Sequence, residues 1–581
     1  MMKNIKLIKL SLMTFAVVIL ATVSCKDEFL EVAPAGSLSQ TELANLSGIE
    51  GTLISTYSQL LGHGGFYSSA ENWFWGSVLG GDANKGTDAG DQSQVNEIQY
   101  YSVQTNNASV LEKYRNSYEG VARANNTMRL IVIAREEGKV SEDDLKRLEA
   151  EARFLRGHYY FDLKKNFDDV PYIDESWDEI TPVPNNQNLW PLIEADFTFA
   201  MNNLGDTAPD PGRANKWAAA AYLAKTYIFQ AKWNEANTLL DQVMSQGMTA
   251  KGEAYGLQAL YQQNFRSIYD NSKESVFAMQ AAAGTGTVDN ANPAMVLNFP
   301  HGTAGPPRPG GCCGFFQPSL DLVNAHRTNP VTGLPLPDRT YNDPLNEVQS
   351  DVGKQSADPF VADPKPIDPR VDHSVGRRGI PYLDWGPHPG FDWIRNQSNG
   401  GPYSPKKFIY FEEGIGIEND VSGWTPGYTA VNATIIRYAD VLLWAAEAKI
   451  ELGMVAEGIG LINEVRTRAA NSHLDLTGAP EAVGVTYICG LYSTGLSQDE
   501  ARTALRMERR IELSGEGHRM YDLVRWGIAA TELNAYLDYE TEFIPELVGA
   551  VFTANKNEFL PIPQNEIDLQ GADIITQNPG Y

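Results

Sequence analysis

The sequence predicts a mainly α-helical fold, in which a platform of tetratricopeptide-like helices carries a large loop-rich insertion. Hydrophobic residues recur at helical spacing over long stretches near both ends of the chain. From about residue 284 to 429, glycine, proline and aromatic residues are dense, and long apolar periods are absent. This aromatic content argues against disorder, and long ordered loops are usually functional. We therefore expect one domain over 25–581, with helical parts over about 40–283 and 430–581.

Two long helices are predicted in the first half of the chain. Residues 109–134 place apolar and aromatic side chains at helical spacing. Residues 141–167 begin with Ser141 and, three residues later, Asp144, which is the pattern of a capped helix start. Acidic residues also fill the first turn, where the helix dipole favours them.

A pair of short helices is predicted twice. In residues 215–244, small alanines alternate with large aromatic side chains, which lets two antiparallel helices pack closely. A similar pair is predicted over 435–470, with its turn near Gly453. Both pairs look like tetratricopeptide units of ~34 residues, and generic helical hairpins are the alternative for either pair alone. Because residues 245–434 separate the pairs, we do not expect a continuous solenoid.

The N-terminus is typical of a lipoprotein signal peptide. Lys3, Lys6 and Lys9 precede an apolar stretch that is too short to cross a bilayer and suits a signal peptide over residues 1–24. Cys25 follows at the position where bacterial lipoproteins carry their acyl chains, palmitate among them. Several acyl chains on one residue would anchor the protein stably. Ordinary secretion with cleavage elsewhere is the alternative.

Charge and motifs exclude several classes of function. The formal net charge of −27 argues against a nucleic-acid partner and against polyanion binding. No catalytic motif or phosphate-binding loop stands out, and the acidic, glycine-rich run at 81–91 lacks EF-hand spacing. We therefore predict a protein that is not an enzyme and that uses no cofactor and no metal. A surface glycoside hydrolase is the less favoured alternative, because a sequence cannot show the separation of two carboxylates.

Four motifs resemble the SusD/RagB family of outer-membrane nutrient-binding lipoproteins. In chain order they are "EARFLRGHYYFDLKKNFDDVPYI", "IIRYADVLLWAAEAKIELG", "RTALRMERRIELSGEGHRMYDLVRWG" and "EFLPIPQNEIDLQ". The resemblance covers the mature chain and is strongest over 150–245 and 432–581. After Cys25, Lys26-Asp27-Glu28 resembles the signal that sends such lipoproteins to the outer face of the outer membrane.

The resemblance implies a function as well as a fold. It implies a lipid-anchored cell-surface protein that binds glycans, or peptides in some members, for a partner TonB-dependent transporter of the SusC type. Tetratricopeptide helices would pack on that transporter, and the loop-rich insertion would form the ligand-binding face. The third motif has a separate, structural interpretation, since arginines half-buried beside carboxylates over 508–525 would fix how helices pack.

Sugar binding requires flat aromatic side chains for the C–H face of the ring and polar groups for its hydroxyl rim. Surface loops hold such groups. Within residues 72–94 we predict ligand contacts for Trp73, Trp75 and Asp82 beside a glycine-rich loop, and the end of a core helix is the alternative for the two tryptophans. The tryptophans in predicted loops or linkers are Trp73, Trp75, Trp177, Trp190, Trp385, Trp393 and Trp424.

Residues 372–407 form the second candidate stretch. The alternative is a loop that packs on its own aromatic side chains. Basic residues outnumber acidic ones over 365–407, and this local charge could face the ligand, the transporter or internal carboxylates. The predicted ligand contacts in this stretch are Tyr382, Asp384, Trp385, Trp393 and Arg395.

Adjacent cysteines in "GGCCGFFQPS" form the third candidate. With Cys25 lipidated, three cysteines remain, and an odd count leaves at least one without a partner in the chain. Adjacent Cα atoms lie about 3.8 Å apart across a trans peptide, so a bond between Cys312 and Cys313 requires a distorted peptide. We favour this vicinal disulfide, whose rigid apolar ring could contact a sugar. Two thiols, or a bond to Cys489, are the alternatives.

These features together predict a cell-surface protein that captures an oligo- or polysaccharide and delivers it to its transporter. The negative charge favours a neutral glycan. A peptide-capturing lid is the main alternative, and a tetratricopeptide scaffold for protein partners is another. The tryptophans in loops favour ligand binding over scaffolding.

Overall fold

Long helices near both ends of the chain build the predicted platform. The computed structural model describes residues 39–62, 66–177, 180–302, 305–476 and 484–581. The predicted signal peptide and Cys25 lie outside these residues. The described helices are α1 Gln40–Leu43, α2 Leu46–Ser58, α3 Asn96–Gln99, α4 Ala108–Glu137, α5 Glu142–Phe167, α6 Trp190–Asn203, α7 Lys216–Phe229, α8 Trp233–Gln246, α9 Leu320–Ala325, α10 Val371–Ser374, α11 Gln397–Gly400, α12 Tyr438–Glu451, α13 Val455–Ala470, α14 Gln498–Glu512, α15 Arg519–Arg525, α16 Ala529–Glu540 and α17 Gln564–Gln570.

Local sequence signals set where the two longest helices begin. The Asn107 side chain accepts from two backbone N–H groups of the first turn of α4. The Ser141 hydroxyl accepts from the backbone N–H of Asp144, which confirms the predicted capped start of α5. The two helices then approach closely, because a Cβ at Gly120 would lie 2.5 Å from the ring carbons of Tyr159.

The two predicted helical pairs are confirmed as α7–α8 and α12–α13. Helices α4 to α8 pack each on the next, α8 packs on α12, and α12 contacts both α13 and α14. The two pairs therefore adjoin in one stack, although residues 247–437 separate them in the chain, so they form no solenoid that is continuous in sequence. The second pair also starts later than predicted, because Ala433–Arg437 forms a strand and α12 begins only at Tyr438.

Short antiparallel strands connect the insertion to the platform and to itself. Strand β2 pairs with β8, so the chain leaves the platform at Met279 and returns to it at Ala433. Strand β1 pairs with β3, which brings the loop after Gly86 beside the loop before Phe315. The strands are β1 Ala83–Gly86, β2 Ser275–Met279, β3 Phe315–Pro318, β4 Val375–Gly376, β5 Ser404–Pro405, β6 Asn419–Asp420, β7 Tyr428–Thr429 and β8 Ala433–Arg437.

A buried cluster of charges joins the insertion to the platform. Its centre is Glu512 at the end of α14, which is fully buried and lies 2.5–2.8 Å from three arginines: Arg370, Arg437 and Arg468. The insertion contributes Arg370 and the platform contributes the other two. The third motif, whose own Arg509 and Arg510 are buried beside Asp440 and Asp321, contributes Glu508, Glu512 and Glu516 to this arrangement. We call it the Glu512 cluster, and its members are Glu274, Asp368, Arg370, Lys407, Arg437, Arg466, Arg468, Glu508, Glu512 and Glu516.

Electrostatic pairing keeps the buried carboxylates of Glu512 and Asp522 ionised. Burial raises the pKa of Glu512, but the attraction of the three arginines outweighs burial and lowers that pKa well below its usual range. Asp522 behaves alike: burial raises its pKa, while Arg509 and Arg525 lower it from 3.8 to about 2. Both carboxylates thus stabilise the fold in their charged forms.

We expect Glu512→Gln to lower the free energy of unfolding by about 3–5 kcal/mol, because it leaves buried arginines without a counter-charge. Urea unfolding followed by circular dichroism measures the change. Asp499→Asn is the matched control on the same helix, since Asp499 is 91% exposed and pairs only with half-buried Arg502. Equal losses for the two variants would contradict the central role of Glu512.

The pH dependence of stability follows from the lowered pKa of Asp522. A carboxylate with a lowered folded pKa stabilises the fold above its unfolded pKa of 3.8, and that contribution is lost as the pH falls toward about 2. We expect the stability difference between wild type and Asp522→Asn to shrink by about 1 kcal/mol between pH 5 and pH 3. Urea midpoints at pH 5, 4 and 3 measure it. A difference that stays constant would contradict the ion pairing.

Candidate ligand-binding site

Four loops from distant parts of the chain meet around Cys312. Because β1 pairs with β3, the Thr87 backbone N–H reaches the Gly314 carbonyl at 2.5 Å. Gly311 approaches Pro426 from a third loop, with 4.0 Å between the Gly311 Cβ position and Cδ of the proline. Arg395 enters from a fourth loop. We call this surface the Cys312 face, and it consists of residues 87–91, 301, 310–314, 395 and 424–426.

Backbone hydrogen bonds hold the cysteine pair, since the N–H groups of Cys313 and Gly314 donate to the carbonyls of Leu297 and Phe299 at 3.1 and 2.9 Å. Cys312 is half-buried, Cys313 is buried, and a disulfide joins them, while Cys489 is free. The preceding Gly310 donates its N–H to the Tyr410 hydroxyl at 2.8 Å. Only glycine fits at that position, because its φ is +70° and a Cβ would overlap the ring of Phe299.

One arginine with two carboxylates supplies the polar part of the face. Arg395 is 35% exposed and pairs with Asp88 at 2.5 Å and Asp91 at 2.7 Å. Burial lowers the pKa of neighbouring His301, whose ring lies 3.3 Å from the Gly311 carbonyl oxygen. The imidazole is therefore neutral near pH 7, and the face has a formal charge of −1. Such a surface favours hydroxyl groups over polyanions.

Two tryptophans in loops retain exposed surface at or beside this face. Trp424 is 63% exposed and lies two residues before Pro426. Trp385 is half-buried, because its indole N–H donates to the Tyr410 carbonyl at 3.1 Å and its ring packs edge-on against that tyrosine. An exposed, flat indole can pack on the C–H face of a sugar ring.

The structure places the predicted residues of the first stretch in the core. Trp73 and Trp75 are 1% and 0% exposed, and the Trp75 indole donates to the Tyr67 carbonyl at 2.6 Å. Asp82 is also buried and pairs with Arg510 at 3.1 Å. These side chains have no surface that a ligand could reach, so the core-helix alternative describes the two tryptophans and Asp82 has a structural role.

The second stretch divides between core and surface. Tyr382 and Trp393 are fully buried, and they contact each other and bond to the backbone carbonyls of Pro405 and Pro306. Because both side chains are fully buried, they have no surface for the ligand contacts that the sequence predicts for them. Asp384 is half-exposed, and its carboxylate accepts the backbone N–H groups of Glu412 and Glu413. Of the residues predicted from the sequence, the structure brings together Cys312, Cys313 and Arg395, with Trp385 beside them.

The local positive charge of the second stretch faces inward. Arg377 pairs with Asp372 at 2.6 Å, Lys407 pairs with Glu516 at 2.7 Å, and all four side chains are buried. Internal carboxylates, one of the three predicted possibilities, therefore neutralise much of this charge. Sequence alone could not assign His301, Asp88 and Asp91 to the face, because nothing in their local pattern indicates Arg395, which lies about 300 residues after the two aspartates. For Trp424, the position in a predicted loop was the one sequence feature that indicated a role in ligand binding.

No metal centre is apparent in the part of the chain that the structure describes, where no three His, Cys, Asp or Glu side chains are grouped to hold an ion. Asp88 and Asp91 of the glycine-rich run bind Arg395 instead. None of the described helices is long and apolar enough to cross a membrane.

Two family profiles match this chain. The SusD family matches residues 273–581, which is more than half of the chain. A second family, described as starch-binding and associating with the outer membrane, matches residues 52–228. The two matches reach both parts of the helical platform and leave residues 229–272, which include α8, between them.

Individual proteins are similar over nearly the full length. SusD-like protein P2 of Formosa agariphila is 24% identical over 584 residues, covering 98% of this chain and 99% of that protein. A laminarin-binding SusD-like protein of known structure superposes with a TM-score of 0.64 at 23% identity, over 92% and 100% of the two chains. Surface glycan-binding protein A from Bacteroides thetaiotaomicron, solved with laminarihexaose, has a TM-score of 0.64 at 18% identity, over 92% and 99%. These two structures share the fold.

Fluorescence quenching tests the placement of the tryptophans. All eleven lie in the described residues, and Trp424 is the one that is more than one-third exposed. We expect Trp424→Phe to reduce the quenching of native fluorescence by acrylamide clearly, because it removes the most accessible indole. Trp393→Phe, which changes a fully buried indole, should leave quenching unchanged while circular dichroism confirms the fold. A larger loss of quenching in Trp393→Phe than in Trp424→Phe would contradict the assignment of Trp424 to the exposed surface.

Proposed function

The chain belongs to the SusD family, and we propose on this basis that it captures a neutral oligo- or polysaccharide at the cell surface. It then delivers the glycan to a SusC-type, TonB-dependent transporter in the outer membrane. The protein binds its ligand without chemical change, and Cys25 anchors it through lipid on the outer face of the membrane. The domain spans residues 25–581, and its insertion over about 284–429 carries most of the ligand-binding face.

The observation that carries this proposal is the composition of the Cys312 face. It combines flat apolar surface, from the cysteine pair and Trp424, with a polar group of one arginine and two carboxylates. A sugar ring presents C–H groups on its faces and hydroxyls around its rim. The apolar part of the Cys312 face matches the C–H groups, and its polar part matches the hydroxyls. Four separate loops supply these groups, and loops held by a rigid scaffold are where binding sites usually lie.

The charge balance supports a neutral glycan over an anionic one. The single exposed arginine of the face is already paired with two carboxylates. An acidic sugar would have to displace these two carboxylates from Arg395. The formal net charge of −27 would also repel it. The names of a matching family and of related proteins point the same way, since they refer to starch and to laminarin or its hexasaccharide, which are neutral glucans.

Binding of a glycan panel to the mature chain tests the proposal. We expect binding to at least one of laminarin, starch, xylan and mannan and none to alginate, measured by isothermal titration calorimetry. Trp424→Ala and Arg395→Ala should each weaken that binding by about tenfold, which corresponds to ~1.4 kcal/mol. Val132→Ala is the control, because Val132 is 46% exposed on helix α4 of the platform.

Other outcomes would replace the proposal. Binding to oligopeptides alone would indicate a peptide-capturing protein. Release of reducing ends from any bound polysaccharide would indicate a glycoside hydrolase. Glycan binding that is unchanged in the Trp424 and Arg395 variants would move the site away from the Cys312 face.

A further inference from the structure

A cleft of about 290 Å³ lies beside the Cys312 face and shares no residue with it. Its walls come from two stretches that are distant in sequence, residues 260–269 before the insertion and residues 384–413 within it. Small-molecule sites enclose ~300–1,000 Å³. The cleft therefore suits a single ring-sized group and is too small for a folded segment of a partner protein.

One short segment separates the cleft from the Cys312 face. Phe411 is extended, with φ −76° and ψ 152°, so its side chain and that of Tyr410 point in different directions. Tyr410 bonds to Gly310 of the Cys312 face on one side, and Phe411 forms a wall of the cleft on the other. Trp385 packs on Tyr410, and its neighbour Asp384 lines the cleft. The half-exposed indole of Trp385 thus lies between the two surfaces.

The acceptor side of the cleft is held rigidly. The two oxygens of Asp384 accept the backbone N–H groups of Glu412 and Glu413 at 2.7 and 2.9 Å. A carboxylate has about four lone-pair sites, so each oxygen keeps one for a further donor. The carboxylate of Glu413 is 68% exposed at the rim of the same cleft.

The donor side of the cleft has groups without a protein partner. The Gln263 carbonyl oxygen accepts the Leu260 backbone N–H at 3.2 Å, so the NH₂ end of this amide points away from it. Among the described residues, neither this NH₂ nor the Tyr269 hydroxyl nor Nη1 of Arg266 has a hydrogen-bond partner. Three donors without a protein partner therefore belong to residues that line the cleft, which is also lined by the carboxylate residues Asp384 and Glu413.

The apolar surface of the cleft is an exposed ring. Tyr269 is 39% exposed. The other ring, that of Phe411, is covered by the Arg266 guanidinium, whose carbon lies 3.9 Å from the ring centroid. Glu418 and Glu413 pair with this arginine at 2.8 and 3.3 Å, so its charge is already balanced. Asp384 and Glu413 leave the cleft negative, which disfavours an anionic ligand.

We propose that this cleft is a second sugar subsite, which binds one neutral sugar ring of the same glycan that occupies the Cys312 face. The inference rests on the proposed function. Donors from Gln263, Arg266 and Tyr269 match the oxygens of the hydroxyl rim, the carboxylates match its hydrogens, and the Tyr269 ring packs on a C–H face. A glycan that crosses Trp385 contacts both surfaces, so longer oligosaccharides bind more tightly than short ones.

An oligosaccharide series with the mature chain tests this subsite. The probes are the disaccharide, tetrasaccharide and hexasaccharide of β-1,3-glucan, or the same lengths of whichever neutral glycan binds in the panel above. We expect Tyr269→Ala and Gln263→Ala to reduce the affinity gained between disaccharide and hexasaccharide by about tenfold. Ile268→Ala is the matched control, because Ile268 adjoins Tyr269, is 56% exposed and does not line the cleft.

Each other outcome has one meaning. If Trp424→Ala weakens binding but the two cleft variants bind every length as wild type does, the second subsite is wrong and the proposed function stands. If Ile268→Ala weakens binding as much as Tyr269→Ala, the loop and not the cleft is responsible, which also overturns the inference. If the wild type binds no neutral glycan, the proposed function and the subsite fail together.

Discussion

The fold depends on how buried carboxylates are neutralised near the end of α14. Removing charges from water costs several kcal/mol per ion, and their attraction offsets that cost only when the geometry is good and the remaining hydrogen bonds are satisfied. Glu512 meets this condition with three arginines, one of which, Arg370, comes from the insertion. Since a misplaced insertion would leave a buried charge unpaired, the Glu512 cluster selects one position of the insertion on the helical platform.

This constraint extends to the Cys312 face. Arg510, on the same helix as Glu512, pairs with Asp82 just before β1 and with Asp321 just after β3. The antiparallel pairing of those strands then sets the loops that carry Asp88 and the cysteine pair. Ligand groups on loops anchored in this way lose little conformational freedom on binding, which reduces the entropic cost of association.

The two proposed subsites share this rigid base and differ in chemistry. The Cys312 face is open and flat, and its only exposed cation is already paired. The cleft beyond Trp385 is concave, and it combines free donors with acceptors around one exposed ring. Weak contacts at adjoining subsites on one rigid surface act together on a long ligand, because the second contact is intramolecular once the first has formed. Such an arrangement retains a polymer and still releases a short fragment.

Patterns that are local in the chain were readable from the sequence: the capped start of α5, both helical pairs, the loop-rich composition of the insertion and the charged motif of α14. Their periods and caps depend on neighbours three or four residues away. Burial depends instead on segments hundreds of residues distant, so only the tertiary structure placed Trp73, Trp75 and Trp393 in the core and left Trp424 exposed. The same holds for charge. Arg395 pairs with Asp91, about 300 residues earlier in the chain, whereas Arg377 of the same basic stretch pairs with the buried carboxylate of Asp372.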